Sequence, residues 1–408
     1  MRPESVLRIG LLITFIGILD SNPFIIIPGG ALFLFGFVSW FYSKHLPGGI
    51  TGSFNFSKRR AFHGEKITGI LQLKNDQPFP LPWVTCTMEW PEELQLSESG
   101  LLVKHETKDF FKSSYSMHGF EIMKRNYEIT CLTRGEYKVE AITVKVADPF
   151  GFSEGKTALE TKDRILVYPR MVPLSFDDKI FNNPFGGKAL QSWLYEDPAN
   201  FRGIRDYLPS DPFSRISWKA TARAGTLQTK IFDASFATEI TVVLNITTSK
   251  FVWELNSEQL ERSVVVAASI IRRCYEQGYR FSFYANSTVG VRQAASVGIG
   301  AGEKHLRRCL EVMARIMPYQ YRKCEYTLAY AARKTGENSQ LILVTSMLTP
   351  EITRTLNELR KSGSRVIVIY TSREQPEETE KLNVPVYKIA ERGEWDELEQ
   401  ITFIPVGR

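Results

Sequence analysis

Residue patterns that mark catalytic or metal centres are scarce in this 408-residue chain. Its five cysteines, Cys86, Cys131, Cys274, Cys309 and Cys324, are odd in number, widely spaced and form no CxxC pair. That pattern fits a reducing compartment with buried free thiols rather than a zinc knuckle, a redox pair or a disulfide framework. One bridge, Cys86 to Cys131, stays open as the alternative, since both lie in β-rich sequence and would join two sheets if this part of the chain faced outward. The five histidines, His45, His63, His105, His118 and His305, form no HExxH or other close ligand pair. The GxSxG spacing occurs as Gly151-Phe152-Ser153-Glu154-Gly155, but in β-rich sequence with no helix after it, so no nucleophile elbow is read there. GIGAGEK, from Gly298 to Lys304, lacks the GxxxxGK[ST] spacing of a phosphate loop and reads as a loop before a helix that starts at Glu303. An excess of one charge is missing too: 51 basic against 45 acidic residues leave a net +6, too even for a nucleic-acid partner.

What is present is apolar sequence in quantity. With 43% apolar and 24% charged residues the chain can bury more than one core. At the N-terminus, Ile9 to Leu19 is uncharged, Asp20, Ser21, Asn22 and Pro23 form a turn, and Phe24 to Tyr42 is a second apolar run. The second run would rise about 28 Å as a helix, close to the roughly 30 Å of a bilayer's hydrocarbon. Val6 and Leu7 extend the first run if Arg8 snorkels. Two runs without a clear cleavage site predict a transmembrane hairpin rather than a signal peptide. Arg2 and Arg8 precede it and Lys44, Lys58, Arg59 and Arg60 follow it, so both ends, and the soluble bulk, are expected on the cytoplasmic side of the cell membrane. Pro28, Gly29 and Gly30 are expected to kink the second run. Trp40, Phe41 and Tyr42 suit an interfacial belt, with the basic residues after them attracting anionic lipid.

From Gly49 to Pro173, segments such as ITGILQLKN, WVTCTMEW and RILVYP alternate between turn residues and predict a β-sandwich, immunoglobulin-like in architecture. RGEY, Arg134 to Tyr137, reads as a connection between strands, and Asp148 to Gly151 as a turn with a buried Phe150. Residues 174–201 read as a surface connector. From Ala237 onward strand and helix alternate: EITVVLNI, a helix from Ser257 to Gln277, YRFSFYAN, a helix from Glu303 to Ile316, QLILVTS, a helix from Glu351 to Lys361, SRVIVIYTS and a last strand VPVYKIA. This predicts a mainly parallel sheet with helices on both faces, a Rossmann-like α/β fold. The expected organisation is a hairpin over 1–46, a sandwich over 47–173, a connector over 174–236 and an α/β domain over 237–408.

The connector holds the most informative stretch, FRGIRDYLPSDPFSRISWKATAR from Phe201 to Arg223. Asp211 before Pro212 reads as a helix start and Gly225 as its stop. Asp211 and Arg215 then pair at i,i+4. FRGIRDYL is expected to be extended because Pro209 bars a continuous helix, and TLQTKIF to be a strand. Arg205, Arg215, Lys219 and Arg223 with Tyr207 and Trp218 form either a packing element, in which Ile216 and Trp218 anchor the connector to the α/β sheet and Arg205, Arg215 and Arg223 pair with Asp206, Asp211 or other carboxylates, or an exposed hot spot for a partner.

The pattern Phe201, Ile204, Arg205, Tyr207, Asp211, Arg215, Ile216, Trp218, Lys219, Ala222 and Arg223 resembles the signature of the bacterial and archaeal domain of unknown function 58 family. ADPFGF (Ala147 to Phe152) and ILVYPR (Ile165 to Arg170) are similar to the phrases that precede it there. Ser210, Ser214 and Ser217 depart from the family's usual Gly, Arg and Asp. The resemblance implies a von Willebrand A-like C-terminal fold and, as partners, a MoxR-type AAA+ ATPase and a transglutaminase-like membrane protein. In metal-binding von Willebrand A domains the first strand ends in Asp-x-Ser-x-Ser; the corresponding positions here resemble Asn245, Thr247 and Ser249. Those neutral oxygens would hold Mg²⁺ weakly, so no metal and no cofactor are expected. The leading expectation is a non-enzymatic, membrane-anchored interaction module. The alternative is an enzyme or anionic-ligand binder that uses the basic signature segment on a cell-envelope substrate.

Overall fold

The computed structural model describes residues 3–406 apart from 46–48, 98–100, 106–107, 140, 162, 176–195, 209–210, 212, 235–238, 250–253, 255, 291–292, 337–338, 376–380 and 391–398. The chain divides into two units, Met1–Arg170 and Met171–Arg408.

The first unit begins with helices α1 (Pro3–Leu19) and α2 (Pro23–His45). Asn22 caps α2 by accepting the Phe24 N–H at 3.0 Å, and Pro23 supplies the first-turn φ. α2 runs on through Pro28. Glycines let the helices touch backbone to backbone: a Cβ on Gly10 would lie 2.3 Å from the Phe33 nitrogen, and one on Gly36 would lie 2.5 Å from the Leu7 nitrogen. Outward the pair is apolar and bare, with Leu12, Phe15, Phe24, Ile27 and Leu34 all exposed. By length and composition α2 can cross a membrane.

The strands of the unit are β1 (Ile50–Phe56), β2 (Arg60–Ala61), β3 (Lys66–Asn75), β4 (Leu81–Trp90), β5 (Leu94–Leu96), β6 (Leu101–His105), β7 (Lys108–Met117), β8 (Ile122–Cys131), β9 (Gly135–Lys138), β10 (Ala141–Ala147), β11 (Glu154–Glu160) and β12 (Arg164–Val167). They form sheets ordered β1-β3-β8-β5, β11-β10-β4-β7-β6 and β2-β12-β9. The two larger sheets share one core, in which Phe54, Leu71, Leu73 and Ile129 from one meet Val84, Met88, Phe111 and Val144 from the other. In–out alternation along β3, and along β4 from Val84 onward, supplies those side chains. RGEY is a correction: Gly135–Lys138 is itself a strand, antiparallel to β12. Cys86 and Cys131 are free and buried in this core, and burial pushes their thiols up to about 12 and about 11.

In the second unit are β13 (Leu174–Ser175), β14 (Glu196–Asp206), α3 (Trp218–Ala224), β15 (Gln228–Ala234), β16 (Glu239–Leu244), α4 (Ser257–Glu276), β17 (Arg280–Val289), β18 (Gln293–Gly300), α5 (Glu303–Ala314), α6 (Cys324–Lys334), β19 (Gln340–Thr345), α7 (Pro350–Lys361), β20 (Arg365–Tyr370), β21 (Val386–Ile389) and β22 (Ile401–Pro405). The main sheet runs β13-β22-β21-β20-β19-β16-β17-β18. β17, β16, β19, β20 and β21 are mutually parallel, β18 runs antiparallel to β17, and β22 runs antiparallel to β21 and parallel to β13. β16, β19 and β20 are buried almost end to end, as a sheet covered on both faces requires. On one face Val243, Leu341, Leu343 and Val368 pack under α6 and α7. α4 packs across β16, β17 and β19, and the Val172 N–H donates to its Ser269 Oγ at 2.9 Å.

Three expectations need correction here. VPVYKIA, as β21, is followed by another strand, β22. Residues 196–201 belong to strand β14 rather than to a surface connector; the rest of that stretch, 176–195, lies outside the described residues. Gly298–Gly300 complete β18, so only Ala301 and Gly302 separate that strand from α5.

Candidate functional site

The signature forms an arm. β14 and β15 pair antiparallel as a two-stranded sheet of their own, and the segment between them folds into a short 3₁₀ turn, Phe213–Arg215, followed by α3. The extended reading of the arm's ascending strand and the descending strand after Gly225 both hold, and Gly225 closes α3 in the left-handed region at φ 71°.

The helix start differs from expectation. Pro212 and the Arg215 side chain lie outside the described residues, and the N-cap of α3 is Ser217. Asp211 is engaged elsewhere. Arg205 reaches its two carboxylate oxygens with both terminal nitrogens, at 2.8 and 2.7 Å, and the Leu208 N–H donates to it at 3.0 Å. A two-pronged guanidinium outcompetes the single amide bond of a cap, and Arg205–Asp211 is the pair seen among the described residues; the Arg215 side chain, the other predicted partner, lies outside them. The Arg205 guanidinium, with the Leu208 amide, holds the Asp211 carboxyl below the ordinary carboxylate range.

Backbone bonds stitch the tip to β15. The Tyr207 N–H donates to the Leu227 carbonyl at 2.8 Å and the Ser217 N–H to the Gln228 carbonyl at 2.8 Å. The Gln228 N–H donates to Thr221 Oγ1 at 3.0 Å. Ile216 is buried, bridging Thr229 of β15. Trp218 is 69% exposed rather than buried against the sheet, and no residue of α3 is buried. Phe213, whose ring lies 5.7 Å from Tyr207, is 73% exposed. Ile204, Leu208 and Leu227 are exposed as well. Lys219 and Arg223 stand on the exposed helix without an ion-pair partner among the described residues. The arm's tip is thus fixed by hydrogen bonds while its large apolar side chains stay uncovered. Sequence reasoning passed over Leu208 and Phe213, which adjoin Pro209 and Pro212 in the sequence.

The second place with site geometry is the carboxyl edge of the main sheet, where the order reverses around β16 and ligands collect in such folds. Asn245, the residue after β16, donates from Nδ2 to Thr345 Oγ1 at 3.0 Å. Its Oδ1 accepts from the Thr247 N–H at 3.1 Å and from Asn286 Nδ2 at 2.8 Å. Asn286 Oδ1 in turn accepts the Ile246 N–H at 2.8 Å. Ser249 Oγ donates to Glu254 at 2.7 Å. Asn245 is therefore consumed by a closed neutral network, and its oxygen faces amides rather than a cation. Asn286 was not singled out from sequence, although Leu244 and Ala285 pair in register and place the two asparagines side by side. A cleft of about 230 Å³ lies beside the network, lined by Thr248, Ser249, Ser346, Tyr370, Ser372 and Glu374 among others.

The family described as protein of unknown function DUF58 matches residues 203–394. That span takes in the arm tip and most of the α/β sheet. The uncharacterized protein YeaD of Bacillus subtilis (strain 168) is 23% identical over 384 residues, covering 89% of this chain and 89% of that protein. Among solved structures, Escherichia coli alpha-2-macroglobulin, from domain MG7 to its C-terminus, is similar with a TM-score of 0.24 at 13% identity, over 30% of this chain and 24% of that one. A non-cellulosomal cohesin from Archaeoglobus fulgidus has a TM-score of 0.20 at 10% identity, over 28% of this chain and 93% of that one.

Proposed function

We propose that the protein is a membrane-anchored, non-enzymatic interaction module that engages its partner with the tip of the arm. In this reading α1 and α2 cross the membrane as a hairpin. The sandwich is an immunoglobulin-like spacer on the cytoplasmic side, and the α/β unit is von Willebrand A-like. The partner is a MoxR-type AAA+ ATPase working with a transglutaminase-like membrane protein. One observation carries the proposal: a Trp and a Phe stand 69% and 73% exposed on a tip held by backbone hydrogen bonds. Leaving such aromatics in water is costly, and a fixed tip loses little entropy on docking, which is the setting in which aromatic anchors dominate an interface. Arg205 stiffens the tip through Asp211 and is thereby withdrawn from the set of cations that an anionic substrate pocket would need.

The test is direct binding of a purified MoxR-type ATPase to the full chain in lipid nanodiscs. Trp218→Ala and Phe213→Ala are each expected to weaken binding by about 2 kcal/mol, roughly 30-fold in Kd. Equal affinity for wild type and both variants would remove the arm from the interface.

A further inference from the structure

Two loops of the sandwich grip α2 along its last turns. The β3–β4 loop holds its end: the Phe79 ring lies 5.3 Å from Phe41 and 5.4 Å from His45, the Tyr42 hydroxyl donates to the Pro80 carbonyl at 3.0 Å, and the Gln77 amide donates to the His45 carbonyl. The β10–β11 loop reaches further down. Phe150 packs edge-on against Phe35 with ring centroids 4.8 Å apart, and Ser153 Oγ meets Ser39 Oγ at 3.4 Å. This loop is the ADPFGF phrase. It is built as a firm projection: Asp148 Oδ1 accepts the Ser153 N–H at 2.9 Å, the Gly151 N–H donates to the Asp148 carbonyl at 3.1 Å, and Gly151 sits at φ 74°.

The expected buried phenylalanine is not buried. Phe150 is 40% exposed and Phe152 39%. Trp83, opposite Ala147 in the β4–β10 ladder and so beside the same loop, is exposed as well. An apolar projection of three large aromatics is difficult to account for in water. Its position supplies the account. A helix entering the hydrocarbon at Pro23 needs about twenty residues to cross roughly 30 Å, which places the exit near Tyr42. Lys44 lies over the Trp40 ring at 4.1 Å, an arrangement suited to that exit. Phe35 is one helical turn, about 6 Å, below Ser39 on the membrane side. A loop that touches Phe35 has therefore passed the level of the interfacial residues.

We infer that the Asp148–Ser153 loop, with Trp83 beside it, is seated in the lipid bilayer's interface next to α2, Phe150 and Phe152 lying against acyl chains. The inference rests on the anchoring reading above and goes beyond it: the sandwich is a peripheral membrane contact in its own right, and α2 and the loop enter the lipid together. The rings take the depth of about 5–10 Å at which interfacial aromatic residues are stable.

The five native thiols are buried and their ionisation is suppressed, so a single introduced surface cysteine can be labelled in the full chain. The probe is an environment-sensitive fluorophore at Phe150→Cys, Phe152→Cys, Leu34→Cys on α2, or Phe62→Cys. Phe62 stands near the Cys131 end of β8, where the Gly64 N–H bonds the Cys131 carbonyl, roughly 30 Å along the strand from the gripped end. In nanodiscs of phosphatidylcholine and phosphatidylglycerol, lipid spin-labelled near the headgroup is expected to quench the labels at 150 and 152, lipid spin-labelled deep in the acyl chain the label at 34, which lies near the bilayer centre, and neither the label at 62. Quenching at 34 with none at 150 and 152 overturns the inference and leaves the anchor standing. Labels at 150 and 152 shielded from aqueous iodide yet unreached by either lipid quencher overturn it in favour of a protein cover. No quenching at 34 overturns the anchoring reading and this inference with it.

Discussion

The Arg205–Asp211 clamp shows how one side chain can redirect a local motif. Asp211 has the sequence context of an N-cap, but its carboxylate is taken by a two-pronged guanidinium and an upstream amide. A carboxyl held below its ordinary range stabilises the folded tip at any pH above the unfolded Asp value; the contribution is lost as pH falls through the depressed folded value. Protection of the Leu208 amide, its exchange rate relative to the intrinsic rate at the same pH, is expected to persist through the ordinary Asp range and to be lost only in stronger acid. Asp211→Asn is expected to lack that protection at every pH and to lose that acid transition. At the sheet edge, Asn245→Leu strips partners from the Thr247 amide and Asn286 together, at about 1–3 kcal/mol for each buried group left unsatisfied. Chemical denaturation of the full chain checks this; a loss below ~1 kcal/mol would mean that water replaces the asparagine.

Among elements, legibility followed burial. β16, β19 and β20 are continuous apolar runs with nowhere to go except the centre of a sheet, and they lie where the sequence placed them. α4 and α7 were legible from periodicity, and their caps agree: Asn256 accepts the Gln259 N–H at 3.0 Å and Thr349 the Ile352 N–H at 3.3 Å. Asn256→Ala is expected to cost ~1 kcal/mol in thermal or chemical unfolding. α6 went unread because its inward positions, Cys324, Thr327, Leu328 and Ala331, are small or weakly apolar, while Tyr326 and Tyr330 are exposed. β9 hid behind turn-like residues, and Trp218 stayed open between a packing anchor and an exposed hot spot because large aromatics usually bury. The helix pair depends on close approach rather than on side-chain packing. Gly36→Leu drives a side chain into the Leu7 backbone and is expected to separate the helices at a cost of about 1–3 kcal/mol. An engineered crosslink between α1 and α2, formed efficiently in the wild-type background, should then fail.

At the scale of the whole molecule, each unit presents a distinct kind of exposed apolar surface. In the first it is continuous: a bare helix pair and, next to it, the Phe150–Phe152 projection. In the second it is carried by the arm tip and, apart from it, by the exposed tyrosines before and on α6, Tyr319, Tyr321, Tyr326 and Tyr330. The sequence disclosed the apolar runs and the signature but not that the signature stands clear of the sheet, since that depends on β14 and β15 pairing with each other. Lipid for one surface and a protein for the other is the division of labour proposed here, and the arm tip is its central element. The most direct test places a photo-crosslinking amino acid at position 218 of the full chain in its native cells, with Tyr275, an exposed residue of α4, as the control site. One discrete adduct at 218 containing a MoxR-type ATPase, and none at 275, is the predicted result. The same diffuse adducts at both positions, or none at 218, would contradict it.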